Sequence, residues 1–161
     1  MITTDRMAAV DANAAALGVP RKQLMESSGN AVAREVRAVA EPGATVTLVC
    51  GRGNNGGDAL VAARFLDAYD VAVHLLGRPE TIRTDIAREN WDALENAEIP
   101  TESVTDSREF GLGGPDGDDP DVVVDAILGS GISGGLREPE RTAAAAINAS
   151  DATVVAVDVP S

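Results

Sequence analysis

Val46-Thr-Leu-Val-Cys50 runs directly into Gly51-Arg-Gly-Asn-Asn-Gly-Gly-Asp58, and that into Ala59-Leu-Val-Ala-Ala-Arg-Phe-Leu66. An apolar strand, a glycine loop and a helix start follow one another without a spacer, which is how an α/β unit opens. Gly51, Gly53, Gly56 and Gly57 permit positive φ and let a ligand approach the backbone closely. Asp58 is placed to cap the helix expected over 58–68. Free N–H groups at a helix start attract phosphate, so this stretch points to a phosphate-bearing ligand.

Gly51-x-Gly53-x-x-Gly56 formally matches the dinucleotide fingerprint, but that fingerprint also wants an acid at the end of the second strand. Here the second strand, Val71-Ala-Val-His-Leu-Leu76, ends in Gly77-Arg78-Pro79, and Asp70 precedes it. An ordinary NAD dehydrogenase is therefore disfavoured. No Gly-Lys-Ser/Thr occurs, so a Walker loop is excluded. The adjacent Asn54 and Asn55 are the unusual part, offering amide oxygens and N–H donors at the end of a strand. Arg52 and Arg78 are the nearest candidates for a 2′-phosphate contact.

The rest of the chain repeats the alternation. Helices are expected over 3–16, from Pro20 to Val39, over 82–97 (with Ile82, Ile86 and Leu94 on one side) and over 138–149. Short strands are expected at 45–50, 71–76, 99–104, 122–128 and 153–157. Residues 106–120 read as a polar, glycine-rich surface loop. The apolar runs 122–128 and 153–157 read as buried strands. Three strands end in polar or glycine-rich segments, at 51–58, 125–135 and 158–161. Ligands of an open parallel sheet bind beyond the carboxyl ends of its strands, so the three segments are expected to meet. The expected fold is α/β: a Rossmann-like three-layer αβα sandwich with a mostly parallel sheet, one domain spanning 1–161.

Composition excludes several classes. The 161 residues carry a net charge of −13, with 26 acidic groups against 13 basic ones and Lys22 as the sole lysine. Such a surface repels nucleic acid and anionic membranes and is of the solvated acidic kind found in salt-adapted proteins. Cys50 is the only cysteine, so no internal disulfide forms. The first residues lack the basic and apolar regions of a signal peptide, which makes the cytoplasm the expected location. Cys50 reads as a small buried residue rather than a nucleophile, His74 as packed or surface-facing rather than catalytic, and Trp91 as packing one side of its helix.

Gly53-Asn-Asn-Gly-Gly-Asp58, Asp125-Ala-Ile-Leu-Gly-Ser-Gly131 and Val157-Asp-Val-Pro-Ser161, preceded by Leu24-Met-Glu-Ser-Ser-Gly29, make the chain resemble the NAD(P)H-hydrate epimerases, the YjeF N-terminal domain family. The resemblance implies a repair isomerase that interconverts the R and S forms of NADHX and NADPHX, the hydrated nicotinamide cofactors. It implies substrate contacts from Asn54, Asn55, Gly56, Gly57 and Asp58. It adds the second loop Gly129, Ser130, Gly131, Ile132, Ser133, Gly134 and Gly135, and places Asp158 near the reacting ring as the catalytic group. It also implies one potassium ion (K+) per chain, held by Asn55, Asp125 and Ser161. A homodimer and an ADP- or ATP-dependent dehydratase, fused or separate, are the implied partners. The family continues past Ser161, which implies a domain incomplete at that end. Ala59 stands where the family usually has glycine, and its methyl would narrow the space beside the ligand; Ser130 stands where threonine is common.

Taken singly, Asp125 also reads as a turn cap, 129–135 as a connector and 158–161 as an ordinary strand exit. A non-catalytic ligand-binding or scaffold module of the same fold is the alternative function, and a generic nucleotide-binding fragment a third. Retention of Asn54, Asn55, Asp58, Asp125 and Asp158 together favours catalysis.

Overall fold

The computed structural model describes residues 4–129, 135–158 and 161. In chain order the elements are helices α1 (Thr4–Ala16) and α2 (Arg21–Val39), strand β1 (Thr45–Cys50), α3 (Asn54–Arg64), β2 (Asp70–Leu76), α4 (Asp85–Asn96), β3 (Thr101–Val104), β4 (Val122–Ala126), α5 (Glu140–Ala149) and β5 (Thr153–Ala156). The five strands form one sheet in the order β3-β2-β1-β4-β5, and every pairing is parallel. The chain thus winds outward from β1 in both directions, and the order reverses between β1 and β4.

Strand alternation divides the core. Val46, Leu48 and Cys50 of β1, with Val122, Val124 and Ala126 of β4, face a cluster built with α2, α3 and α4. Val49, Val123 and Ile127 face the other side, where Ala143, Ala144 and Ile147 of α5 join Phe110 and Leu112. The outer layers are therefore unequal: three helices cover one face, a single helix and an irregular segment the other. That segment belongs to the expected surface loop 106–120, which is partly a covering layer. Thr47 Oγ1 donates to Leu112 O (3.0 Å), and the His74 Nε2 lies 3.3 Å from Gly113 O. The buried His74 ring also meets Phe110 edge-on at 5.8 Å. His74 is thus a packing residue that ties the segment to the sheet.

Three element expectations need correction. The helix after the glycine loop begins at Asn54 and ends at Arg64, not 58–68, so Asp58 lies inside it rather than at its cap position. The α4 helix starts at Asp85 because the Thr84 hydroxyl accepts from Ala87 N; Ile82 precedes it yet remains in the core. The strand at 153–156 is not buried: β5 is an edge strand, with Val154 44% exposed, since among the described residues its apolar run has a sheet neighbour on one side only. Trp91 packs in the core at 2% exposure as expected.

Candidate active site

The carboxyl ends of β1, β4 and β5 meet through backbone-to-backbone contact. Gly51 N donates to Ala126 O (2.9 Å), and Val157 N to Asp125 O (2.8 Å). A Cβ on Gly51 would stand 2.1 Å from Ile127 O, and one on Gly56 would stand 1.9 Å from Gly51 O. The glycines are therefore needed first for closeness between chain segments: the exit of β4, the exit of β1 and the first turn of α3 stack with no room for a methyl group. Gly57 performs the same service on the opposite side, where a Cβ would meet Met25 at 2.7 Å and Ala87 at 3.0 Å.

Because α3 starts early, its open end is formed by Asn54, Asn55 and Gly56. The first intrahelical bond runs from Gly57 N to Gly53 O (3.1 Å), Gly53 provides no side-chain cap, and no acid lies in the first turn. Three N–H groups thus point out of the helix start, where the helix dipole favours an anion. Asn54 is exposed there. Asn55 turns toward the sheet, where its Nδ2 donates to Leu128 O (2.6 Å) and Val157 O (2.9 Å). One amide thereby fastens the start of α3 to the exits of both β4 and β5.

Asp125 sits in the next strand over at 3% exposure. Its Oδ1 accepts from Ile127 N (3.2 Å) and its Oδ2 from Ser161 N (2.8 Å). The Ser161 hydroxyl in turn accepts from Leu128 N (3.2 Å). Among the described residues no cationic side chain lies within ion-pair distance of Asp125. Among the described residues two N–H groups are its partners, and burying a carboxylate without a cationic partner is costly. A cleft of about 270 Å³ opens beside Asp125 and Ser161, walled by Ala144 and Ile147 of α5 and Val154 of β5. Asp158 follows at the mouth of β5. It is exposed, with φ +70°, a left-handed backbone that aspartate tolerates better than most residues.

Asn55, Asp125, Ser161 and the backbone beside Asp158 are thus brought into one hydrogen-bonded cluster, with Gly129 against Asn55: a Cβ there would be 3.2 Å from its amide. Gly135 is exposed, and no contact places it in the cluster. Ser130, Gly131, Ile132, Ser133 and Gly134 lie outside the described residues. Ala59 is fully buried in the α2–α4 core, so its methyl does not narrow the ligand side. Gly29 of α2, where a Cβ would stand 2.3 Å from Val61, sets how closely α2 approaches α3; it closes the Leu24-Met-Glu-Ser-Ser-Gly29 stretch of the resemblance, but its packing role was not legible there.

Cys50 lies directly under the cluster but is fully buried. Burial pushes its thiol from the ordinary 9.0 up to about 12, so it stays a neutral thiol, a poor nucleophile. Iodoacetamide at pH 8 is expected to leave the native protein unlabelled and to modify Cys50 after urea unfolding. The same shift makes the fold lose stability as pH rises from about 9 towards 12, because the unfolded chain ionises first.

The sequence pattern of the "YjeF-related protein N-terminus" family matches residues 21–161. This chain belongs to that family. Among relatives of this YjeF-type chain, the "NAD(P)H-hydrate epimerase" of Cenarchaeum symbiosum is 41% identical over 162 residues, covering 99% of this chain and 73% of that protein. The "Bifunctional NAD(P)H-hydrate repair enzyme Nnr" of Methanothermobacter thermautotrophicus is 47% identical over 162 residues, covering 96% of this chain. The chain spans only 30% of that bifunctional relative's length. The crystal structure of the yeast protein ynu0 superposes with a TM-score of 0.77 at 26% identity, covering 100% of this chain and 70% of that one. No helix among the described residues is long and apolar enough to cross a membrane.

Proposed function

We propose that this chain epimerises the R and S forms of NADHX and NADPHX. The observation that carries the reading is the joining of Asn55, Asp125 and Ser161 into one oxygen-rich cluster between the phosphate-attracting start of α3 and the exposed Asp158. The names of its relatives, NAD(P)H-hydrate epimerase and NAD(P)H-hydrate repair enzyme, support the same substrate. The start of α3 takes the pyrophosphate, which leaves the hydrated nicotinamide ring beside the ends of β4 and β5.

The donor set also fits potassium. Carboxylate, amide and hydroxyl oxygens suit a hard cation, and buried Asp125, beside which no cationic side chain lies among the described residues, favours one. Asn55, Asp125 and Ser161 would hold the ion, and it would supply positive charge and fix the loops around the ring. The protein's own residues carry the reaction. The ring nitrogen's lone pair assists departure of the hydroxyl from the hydrated carbon. Asp158, as the acid, gives that hydroxyl a proton, so water leaves. Its carboxylate then faces the cationic ring. Water re-adds to either face and returns its proton to Asp158. The balance is one proton out and one back, with no oxidant.

A cytoplasmic reaction follows from where the reduced cofactors are used, and the lone buried cysteine suits a reducing compartment. A dehydratase that consumes the S form, fused or separate, and a homodimeric assembly complete the reading; the bifunctional relatives support the first. Supplying pure R-NADHX to the purified chain is expected to yield the S form faster than in buffer alone, as read by chromatography. An unchanged rate would remove the reading in favour of a binding module.

A further inference from the structure

We propose that the carboxyl end of β2 receives a 2′-phosphate, so that the chain prefers the phosphorylated hydrate, NADPHX, over NADHX. The inference rests on the nucleotide reading above and specifies its substrate. Strand order places the parts of the ligand: the ring lies by β4 and β5, the pyrophosphate by the start of α3 after β1, and the adenosine ribose by β2. Three strand spacings of about 4.8 Å separate β2 from β5, a span that an extended dinucleotide covers.

The chemistry at the β2 end is that of an anion site. Where an NAD-specific fold carries an acid for the ribose hydroxyls, this chain has Gly77-Arg78-Pro79. Gly77 adopts φ +130°, and a Cβ there would stand 2.7 Å from Arg52 Cδ. Only glycine lets the Arg52 stem lie across the strand end. The Arg52 guanidinium is half-buried and is steadied by Glu140 at 3.4 Å, its one side-chain partner among the described residues, which leaves most of its five N–H donors to a ligand. Arg83 N donates to Arg52 O (2.9 Å), which sets the backbone of a third arginine beside that of Arg52. Arg78 and Arg83 are exposed, and no carboxylate pairs with either among the described residues. Glu80 is the one acid in the 77–84 segment. In a chain with 26 acidic and 13 basic groups, three arginines whose backbones meet at one strand end need a reason. The pyrophosphate does not supply it, since the start of α3 offers its own N–H groups.

The test compares two fragments that differ only in the 2′-phosphate, adenosine 2′,5′-bisphosphate and 5′-AMP, by titration calorimetry on the 161-residue chain. The bisphosphate is expected to bind about tenfold tighter, the order of a charge-assisted hydrogen bond. Arg52→Ala and, separately, the exposed Arg78→Ala are each expected to reduce that ratio at least threefold while leaving the 5′-AMP affinity alone. Arg52→Lys should keep part of it, since charge survives and the fork does not. Equal affinities, a preference untouched by both alanine variants, or no binding of either fragment would overturn the proposal. The readout is independent of turnover: a 2′-phosphate preference without epimerisation would sink only the reaction, and epimerisation without the preference only this inference.

Discussion

Asp158→Asn is expected to lower the epimerisation rate by about 100-fold, the lower end of what a positioned acid–base group contributes. The substitution is well isolated. Asp158 holds φ +70°, a conformation in which asparagine is at least as comfortable as aspartate, so backbone strain does not change. Size is kept, while the charge and the exchangeable proton are lost. Asp158→Ala would mix that loss with a strained backbone and is the poorer probe. Uncatalysed interconversion sets the floor against which the variant is read. Rates measured alongside NADPH affinity separate chemistry from binding: its ring is neutral and does not mimic the cationic intermediate, so affinity should stay within about twofold, since a group acting in the transition state leaves ground-state binding largely alone. Intact affinity with an undiminished rate would remove Asp158 from the reaction.

Gly56→Ala is expected to destabilise the fold by about 3 kcal/mol, at the upper end of overpacking costs. Two effects oppose each other. Gly56 is the third residue of α3, and alanine is the better helix former by about 1 kcal/mol. Against that, the new methyl would lie 1.9 Å from Gly51 O, a backbone atom held by the Gly51 N–H bond to Ala126. A flexible side chain can step aside, but this segment moves only by separating β1 from β4, so the clash wins. Gly53→Ala is the control. Gly53 is the residue just before α3, with φ −102°, and nothing lies within 4 Å of its Cβ position. Gly53 is the N-cap, where alanine is somewhat poorer than glycine, so its cost should stay below about 1 kcal/mol, well under that of Gly56→Ala. Urea melts followed by the fluorescence of the single, buried Trp91 measure both variants. A Gly56→Ala protein as stable as its parent would mean that the stack at the strand ends is loose.

The stretch 46–66 carried most of what could be read in advance, because a strand and a helix bracket a glycine-rich turn in it and chain connectivity does the rest. The expected meeting of segments 51–58, 125–135 and 158–161 was likewise legible, because parallel strands put their ends on one side; among the described residues it is seen at 51–56, 125–129, 157 and 161. The true start of α3 was not. Asn54-Asn55-Gly56-Gly57 is a poor helix former by propensity, and it is helical because Gly56 fits against Gly51 and Gly57 against Met25, contacts between residues distant in sequence. The exposure of β5 was hidden for a related reason. Thr153-Val-Val-Ala156 is as apolar as a central strand, and only the strand order makes it an edge. Asp125 was legible as an anomaly, a carboxylate within Val122-Val-Val-Asp-Ala126. Its hydrogen bond to Ser161, which lies 36 positions on, needed the fold.

The interconversion rate of R- and S-NADHX by the purified chain, in potassium and then in sodium buffer at equal ionic strength, tests the central claim most directly. The account predicts a rate above the spontaneous one in potassium and a clearly lower rate in sodium. A rate at the spontaneous level in both buffers would contradict the epimerase, and equal catalysed rates would contradict the cation at Asn55, Asp125 and Ser161.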